Sequence, residues 1–265
     1  MFEEELAFAV ELAEEAGRIA MRYFGHELEV RVKPDRTPVT EADTAIEAMI
    51  RERIRERYPG DAILGEENGL EGEGERCWIV DPIDGTKNFT DGIQIWATLI
   101  ALAMADEPVV GVAYAPALGE RYEAARGAGA KLNGSAIHVS TADRISRSFI
   151  VHSDAGEWLA GEHGEVLREI VLEARRDRGY GDFWGHMLVA RGSADVMFEP
   201  ELATWDVAAV QVVVEEAGGT VTTFEGEPPH HGSSALTTNG LLHDEIVARL
   251  RHGASRAAQD AGRER

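Results

Sequence analysis

The segment Cys77-Trp78-Ile79-Val80-Asp81-Pro82-Ile83-Asp84-Gly85-Thr86 constrains this chain more than any other stretch. Four apolar residues run directly into two aspartates three positions apart. A short apolar run of this kind predicts a buried strand over residues 77–80, with Asp81 at its end. Two carboxylates held together at a buried strand end repel each other, and loss of water makes either harder to ionise. A cation between them relieves both effects, and Mg²⁺, which takes hard oxygen ligands and keeps several waters, suits these donors. Gly85 lets the backbone approach a ligand closely. A helix starting near Thr86 would turn its free N–H groups to the same point, where they favour a phosphate. The same residues also suit a surface turn; the apolar strand ahead of them weighs against that.

Further acids follow the same logic. Residues 62–65 predict a short strand, and Glu66-Glu67 stand at its end. Trp205-Asp206 opens a predicted helix that Gly218-Gly219 ends; taken alone, Asp206 reads as a helix cap. Thr40-Glu41-Ala42-Asp43 precedes an apolar run and reads as a capping box. An aspartyl-phosphate mechanism of the haloacid type places its two aspartates two positions apart. Here they are three apart with a proline between, which disfavours an aspartate nucleophile and favours two metal ligands. The single cysteine, Cys77, excludes an internal disulfide and a thiolate metal cluster; its apolar neighbours predict a buried, inert thiol. His230-His231 follow two prolines and read as part of a solvated loop.

Apolar residues at Leu6, Ala9, Ala13, Ala16, Ala20 and Phe24 predict an amphipathic helix over 2–24, and a second is predicted over 41–57. An extended two-proline loop (32–39) joins them. Residues 70–76 read as an exposed loop. Strands are predicted over 95–105, 109–114 and 121–126, and Asn133-Gly134 marks a hairpin. Then come a strand (148–152), a helix (162–175), a glycine-rich turn (178–181), a helix through Val189, strands at 196–199, 220–224 and 235–238, a last helix (241–251) and a frayed tail. A meander of strands followed by alternation points to α+β and then α/β layers. The expected division is a half of residues 1–145 tightly packed on a half of residues 146–265.

The net charge of −22 argues against nucleic acid and anionic membrane as partners. It would also repel a phosphate ester, unless cations sit in the site. The first residues lack a basic start and an apolar run, and no apolar stretch is long enough to span a bilayer, so a cytoplasmic protein is expected.

Together these motifs resemble the inositol monophosphatase superfamily of Mg²⁺-dependent, lithium-sensitive phosphatases. The resemblance rests on Gly65-Glu66-Glu67, residues 81–89, Trp205-Asp206-Val207-Ala208-Ala209 and Glu216-Ala217-Gly218-Gly219, in order over nearly the whole chain. Within it, residues 33–43, 81–102 and 178–183 are most similar to bacterial, above all actinobacterial, histidinol-phosphate phosphatases. The implied fold is a layered αβαβα sandwich, and the implied assembly a homodimer. The resemblance further implies that Glu66, Asp81 and the Ile83 carbonyl hold one Mg²⁺. Asp81, Asp84 and Asp206 would hold a second, and a weaker third would lie near Glu66 and the 34–38 loop. Thr86, hydrogen-bonded to Asp43, would orient and help deprotonate the attacking water, with Glu67 as a second acceptor. Gly85 and Thr86 N–H groups would hold the phosphate. Asp182 and Glu199 would form an anionic pocket, with Arg178 as an anchor for either acid or a plain surface charge. That pocket favours histidinol phosphate, with its ammonium and imidazole, over inositol phosphate. The alternatives are another phosphate monoester of the same superfamily and a non-catalytic cation-binding regulator.

Overall fold

Side-chain alternation along the central strands decides how this chain layers. The computed structural model describes residues 2–26, 31–32, 38–229 and 234–263. The expected third-ion loop at 34–37 and His230-His231 lie outside them. Helix α1 (Glu3–Tyr23) is followed by a ribbon of β1 (Arg31–Val32) with β2 (Pro38–Val39), and then by α2 (Glu41–Arg57). Next come β3 (Ala62–Gly65), β4 (Gly69–Glu71), β5 (Arg76–Asp84), the short α3 (Thr86–Thr90), β6 (Ala97–Met104), β7 (Glu107–Ala115), β8 (Glu120–Ala125), β9 (Ala130–Leu132) and β10 (Ser135–Ala136). These strands form an eight-stranded sheet in the order β10-β9-β8-β7-β6-β5-β3-β4. The pairs are antiparallel except β3 with β5.

The second part runs β11 (Phe149–His152), α4 (Ala155–Ala160), α5 (Gly164–Glu173), β12 (Arg176–Gly179), α6 (Asp182–Ala190), β13 (Val196–Glu199), α7 (Thr204–Glu216), β14 (Thr220–Thr222), β15 (Ala235–Thr238) and α8 (His243–Arg263). Its sheet has the order β12-β11-β13-β15-β14.

On β5, Trp78 and Val80 face α1 and α2, where they meet Phe8, Leu12, Ile46 and Ile50. Ile79 faces the other way, onto Phe183 and Met187 of α6 and Val210 and Val213 of α7. The far side of α6 packs on Val151 and Met197 of the smaller sheet. Ile150, Val196 and Phe198 then face outward onto Leu167, Ile246 and Leu250 of α5 and α8. The order of layers is therefore αβαβα, as the resemblance implies. Helix α7, sandwiched between sheets, is buried all round from 207 to 214 and apolar there except at Gln211. Gly111 on β7 permits its close approach, since a Cβ there would lie 2.3 Å from the Ala209 carbonyl oxygen.

Several sequence expectations change. The predicted 70–76 loop begins as edge strand β4, and the predicted 178–181 turn overlaps edge strand β12. Both are polar because edge strands face water, and polarity alone hides a strand from a hydropathy reading. Helix α8 continues to Arg263, past the predicted fraying point. Cys77 is half-buried, not fully enclosed. The Asn133-Gly134 turn is as expected: both residues have positive φ, and Leu132 pairs directly with Ser135.

Candidate active site

The strand carrying Asp81 does not end there. β5 runs on to Asp84, and its pairing with β6 slips: Asp81 lies opposite Leu99, but Asp84 lies opposite Ala97. Three residues of β5 thus span two of β6, which is a bulge. In a regular strand, residues three apart point to opposite faces. The extra residue turns both aspartates to the side of α6 and α7. It also makes room for Pro82 inside the sheet, whose carbonyl accepts a 2.9 Å hydrogen bond from the Thr98 hydroxyl.

Asp206 reaches the same point from the first turn of α7, where its Oδ2 accepts the Ala203 N–H at 2.7 Å. The cap and the cluster are therefore the same residue. Carboxylate oxygens of Asp81, Asp84 and Asp206 lie within 4.8 Å of one another. Asp81 Oδ1 accepts the Ile83 N–H at 2.9 Å, and Asp84 Oδ2 accepts the Phe183 N–H at 2.8 Å. Glu66 follows β3, and its N–H bonds the Val80 carbonyl at 3.2 Å.

These groups line a cleft with a cavity volume of about 580 Å³, together with Ile83, Gly85, Thr86, Asp182 and Glu199. Gly85 sits at φ 80°, and a Cβ there would lie 2.9 Å from the Ile95 carbonyl oxygen, so only glycine fits the turn. Asp182, also at positive φ, accepts the Asn88 side-chain N–H at 2.8 Å.

Two expected contacts differ. The Thr86 hydroxyl donates to the Ile83 carbonyl at 2.9 Å, not to Asp43; a hydroxyl at a helix start readily bonds the carbonyl three residues back. Asp43 is buried in the predicted capping box, where its Oδ2 accepts from the Thr40 N–H (2.8 Å) and hydroxyl (2.6 Å). Its Oδ1 has no hydrogen-bond partner. Asp43 and Glu67 are not among the cleft-lining residues. Arg178 lies exposed on edge strand β12, outside the cleft, and donates to the Asp177 carbonyl at 2.7 Å. It is the plain surface charge of the two sequence readings.

The sequence reading passed over Lys87, Glu201 and His186, which also line the cleft. His186 stands one helical turn after Asp182 on α6, so the spacing places both on one face. Burial pushes its imidazole down to about 4, so it is neutral near pH 7. Nε2 lies 3.1 Å from Glu199 Oε2, and Nδ1 lies 2.7 Å from the Thr237 hydroxyl. A carboxylate only accepts, so the proton sits on Nε2 and Thr237 donates to Nδ1.

The carboxylates resist ionising. Burial raises Asp81, and Glu66, Asp84 and Asp206 add to the effect. Burial likewise raises Asp84, helped by Asp182 and Asp206. Asp206 and Asp43 are each pushed up to about 6 by burial, against the hydrogen bonds they accept. A divalent cation among these oxygens removes that conflict, and the donor set, oxygen throughout, fits a hard ion.

A carboxylate whose folded pKa is raised contributes stability below its unfolded value and loses it as pH climbs through its folded value. For Asp43 and Asp206 that window runs from 3.8 to about 6, and Asp81 and Asp84 extend it upward. His186 and His243, lowered by burial, act in the opposite direction, but four carboxylates outweigh them. In chelator the melting temperature is expected to be higher near pH 5 than near pH 7, and Mg²⁺ should close the gap. A chelated protein that gains stability over that interval would contradict the assignment.

The model of the inositol monophosphatase family matches residues 1–255. The histidinol-phosphatase of Streptomyces coelicolor is 43% identical to the chain over 257 residues, covering 93% of this chain and 97% of that one. The histidinol-phosphatase of Mycobacterium tuberculosis is also 43% identical, covering 96% and 100%. Among solved structures, an IMPase of Thermotoga maritima superposes with a TM-score of 0.86 at 31% identity, covering 96% of this chain and 99% of that one. No described helix is long and apolar enough to cross a membrane.

Proposed function

The chain belongs to the inositol monophosphatase family of metal-dependent phosphatases, and on that premise we propose that it hydrolyses L-histidinol phosphate to L-histidinol and inorganic phosphate. The observation that carries this reading is the acidity of the cleft beyond its metal-ligand candidates. Among the described residues, Asp182, Glu199 and Glu201 line it, against one basic residue, Lys87. An inositol ester offers hydroxyls to such a wall. Histidinol phosphate offers an ammonium and an imidazole, which suit carboxylates. The relatives named histidinol-phosphatase, at 43% identity, support the same substrate.

In this reading Glu66, Asp81 and the Ile83 carbonyl would hold one Mg²⁺, and Asp81, Asp84 and Asp206 would hold a second. Bound there, Mg²⁺ would neutralise phosphoryl charge and make a water acidic enough to attack phosphorus. The Gly85 and Thr86 N–H groups hold phosphate oxygens. The Thr86 hydroxyl donates its hydrogen bond to the Ile83 carbonyl, which leaves its lone pairs to accept a hydrogen bond from the attacking water and orient it. Asp43, through its unpartnered Oδ1, and Glu67 lie beyond the cleft lining and would take up the proton the water loses through an intervening water. His186, locked by Thr237, holds Glu199 in place for the cationic end of the substrate. The same reading makes the protein a cytoplasmic homodimer, and light scattering would check the subunit count.

Phosphate release from L-histidinol phosphate and myo-inositol 1-phosphate, side by side with Mg²⁺, tests the reading. Histidinol phosphate should be preferred. Asp182→Asn should reduce that preference about tenfold by raising KM for the cationic ester, the effect of about 1.4 kcal/mol in discrimination. Preference for the inositol ester would leave the metal chemistry intact and refute the role given to Asp182 and Glu199.

A further inference from the structure

A second cavity, of about 320 Å³, lies outside the cleft. Glu162 and His163, ahead of α5, line it together with Glu225 and Phe224, beyond β14. Pro200, between the cleft residues Glu199 and Glu201, lines it too. His163 is 8% exposed, and neither of its ring nitrogens has a hydrogen-bond partner. An imidazole buried in that state has lost water without replacing it, at a real cost. Its ring is held edge-on against Phe224, with centroids 5.4 Å apart.

The distances around this imidazole are informative. Nε2 lies 3.4 Å from Glu225 Oε1 and 3.6 Å from Glu162 Oε1. Both exceed the usual N–H···O range of about 2.7–3.2 Å. The first matches the donor-to-donor edge of a tetrahedral ion, which is about 3.3–3.4 Å for bonds of about 2.0–2.1 Å, and the second exceeds that edge slightly. All three residues place a ligand atom within 4.8 Å of the other two. One imidazole and two carboxylates suit a borderline transition ion, whereas the oxygen set in the cleft suits Mg²⁺.

We propose that Glu162, His163 and Glu225 form a separate binding site for a divalent transition ion of the zinc class, with water completing a tetrahedron. The ion clips the segment ahead of α5 to the turn after β14, beside the stretch that carries Glu199 and Glu201. It takes no part in phosphate release.

Co²⁺ separates the two sites spectroscopically, because tetrahedral Co²⁺ absorbs visible light strongly and six-coordinate Co²⁺ weakly. The full chain, saturated with Mg²⁺, is titrated with CoCl₂. Wild type should gain the strong band with one equivalent of Co²⁺. His163→Gln and Glu225→Gln should each lose it, while Mg²⁺-dependent phosphate release stays within about twofold of wild type. Asp84→Asn should keep the band, and so should the double variant His230→Ala/His231→Ala, which removes the two imidazoles that precede the lining residue Ser234 in the sequence. Circular dichroism checks folding; Glu225 is exposed, so its variant carries the test if His163→Gln unfolds. No band in wild type, as expected of a protonated His163 merely ion-paired to its glutamates, overturns the proposal. A band that survives His163→Gln, or one that vanishes with the His230/His231 pair, overturns it as well.

Discussion

Asp84→Asn is expected to lower kcat by a hundredfold to a thousandfold while raising the melting temperature of the metal-free protein near neutral pH. The two effects have one cause. Asp84 is buried, and its charge is opposed by Asp182 and Asp206. Asparagine keeps the shape, and its carbonyl oxygen can still accept the Phe183 N–H that Asp84 Oδ2 accepts at 2.8 Å. What it removes is one negative charge. In the metal-free protein that charge is a liability, because burial and repulsion both resist it. In the loaded enzyme it would be a ligand on the proposed reading, and losing the ion it would help to hold should forfeit about 3–4 kcal/mol of transition-state stabilisation. Thermal melts in chelator and steady-state phosphate release would measure both. A variant that loses activity and stability together would show that Asp84 serves the fold and not a cation.

Glu47→Ala should destabilise the protein by about 3–5 kcal/mol, the usual cost of breaking a buried ion pair from one side. Glu47 is fully buried on α2. Its Oε1 accepts from Arg51 Nε at 2.7 Å, and from the Asn68 N–H and side-chain amide at 3.1 and 3.0 Å. Its Oε2 accepts the Glu67 N–H at 2.7 Å. Arg51 in turn donates to the Gly69 carbonyl at 2.6 Å, so the pair grips both ends of the turn that follows Glu66. Gly65 is part of the same design, since a Cβ there would lie 2.5 Å from the Glu47 carboxyl carbon. At about 2–4 °C per kcal/mol for a chain of this size, the melting temperature should fall by roughly 10 °C. Because Glu66 loses its support, the Mg²⁺ concentration for half-maximal activity should rise as well. Arg53→Ala, which removes a half-buried surface pair with Glu15, is the control, with an effect of about 1 kcal/mol or less. Equal melting temperatures for the two variants would refute the role given to Glu47.

Glu66, Asp81, Asp84 and Asp206 of the candidate site were legible in the chain because hard-cation chemistry needs a restricted residue type in a restricted setting, whereas Lys87, Glu201 and His186 carried no such signal. An apolar strand running into acids cannot be neutral structure without something to balance it, and the Asp81–Asp84 spacing already argues against an aspartate nucleophile. Helix α2 was readable to its ends, since the Thr40–Asp43 capping box is a local interaction. Edge strands β4 and β12 were not, because their pairing partners lie elsewhere in the chain and their polarity answers to solvent.

The sequence by itself therefore marked Glu66, Asp81, Asp84 and Asp206 as candidate cation ligands and showed where the regular elements with local signals lie. Only the tertiary structure decided how those side chains meet. The bulge that turns Asp81 and Asp84 to one side exists only in register with β6. Thr86 takes the Ile83 carbonyl because β5 ends one residue before Gly85 turns the chain into α3. Arg178 leaves the cleft because β12 is an edge strand, and His186 enters it because α6 is wedged between two sheets. Local patterns record the chemistry a residue carries; distances between remote segments arise from packing, and no stretch of sequence contains them alone.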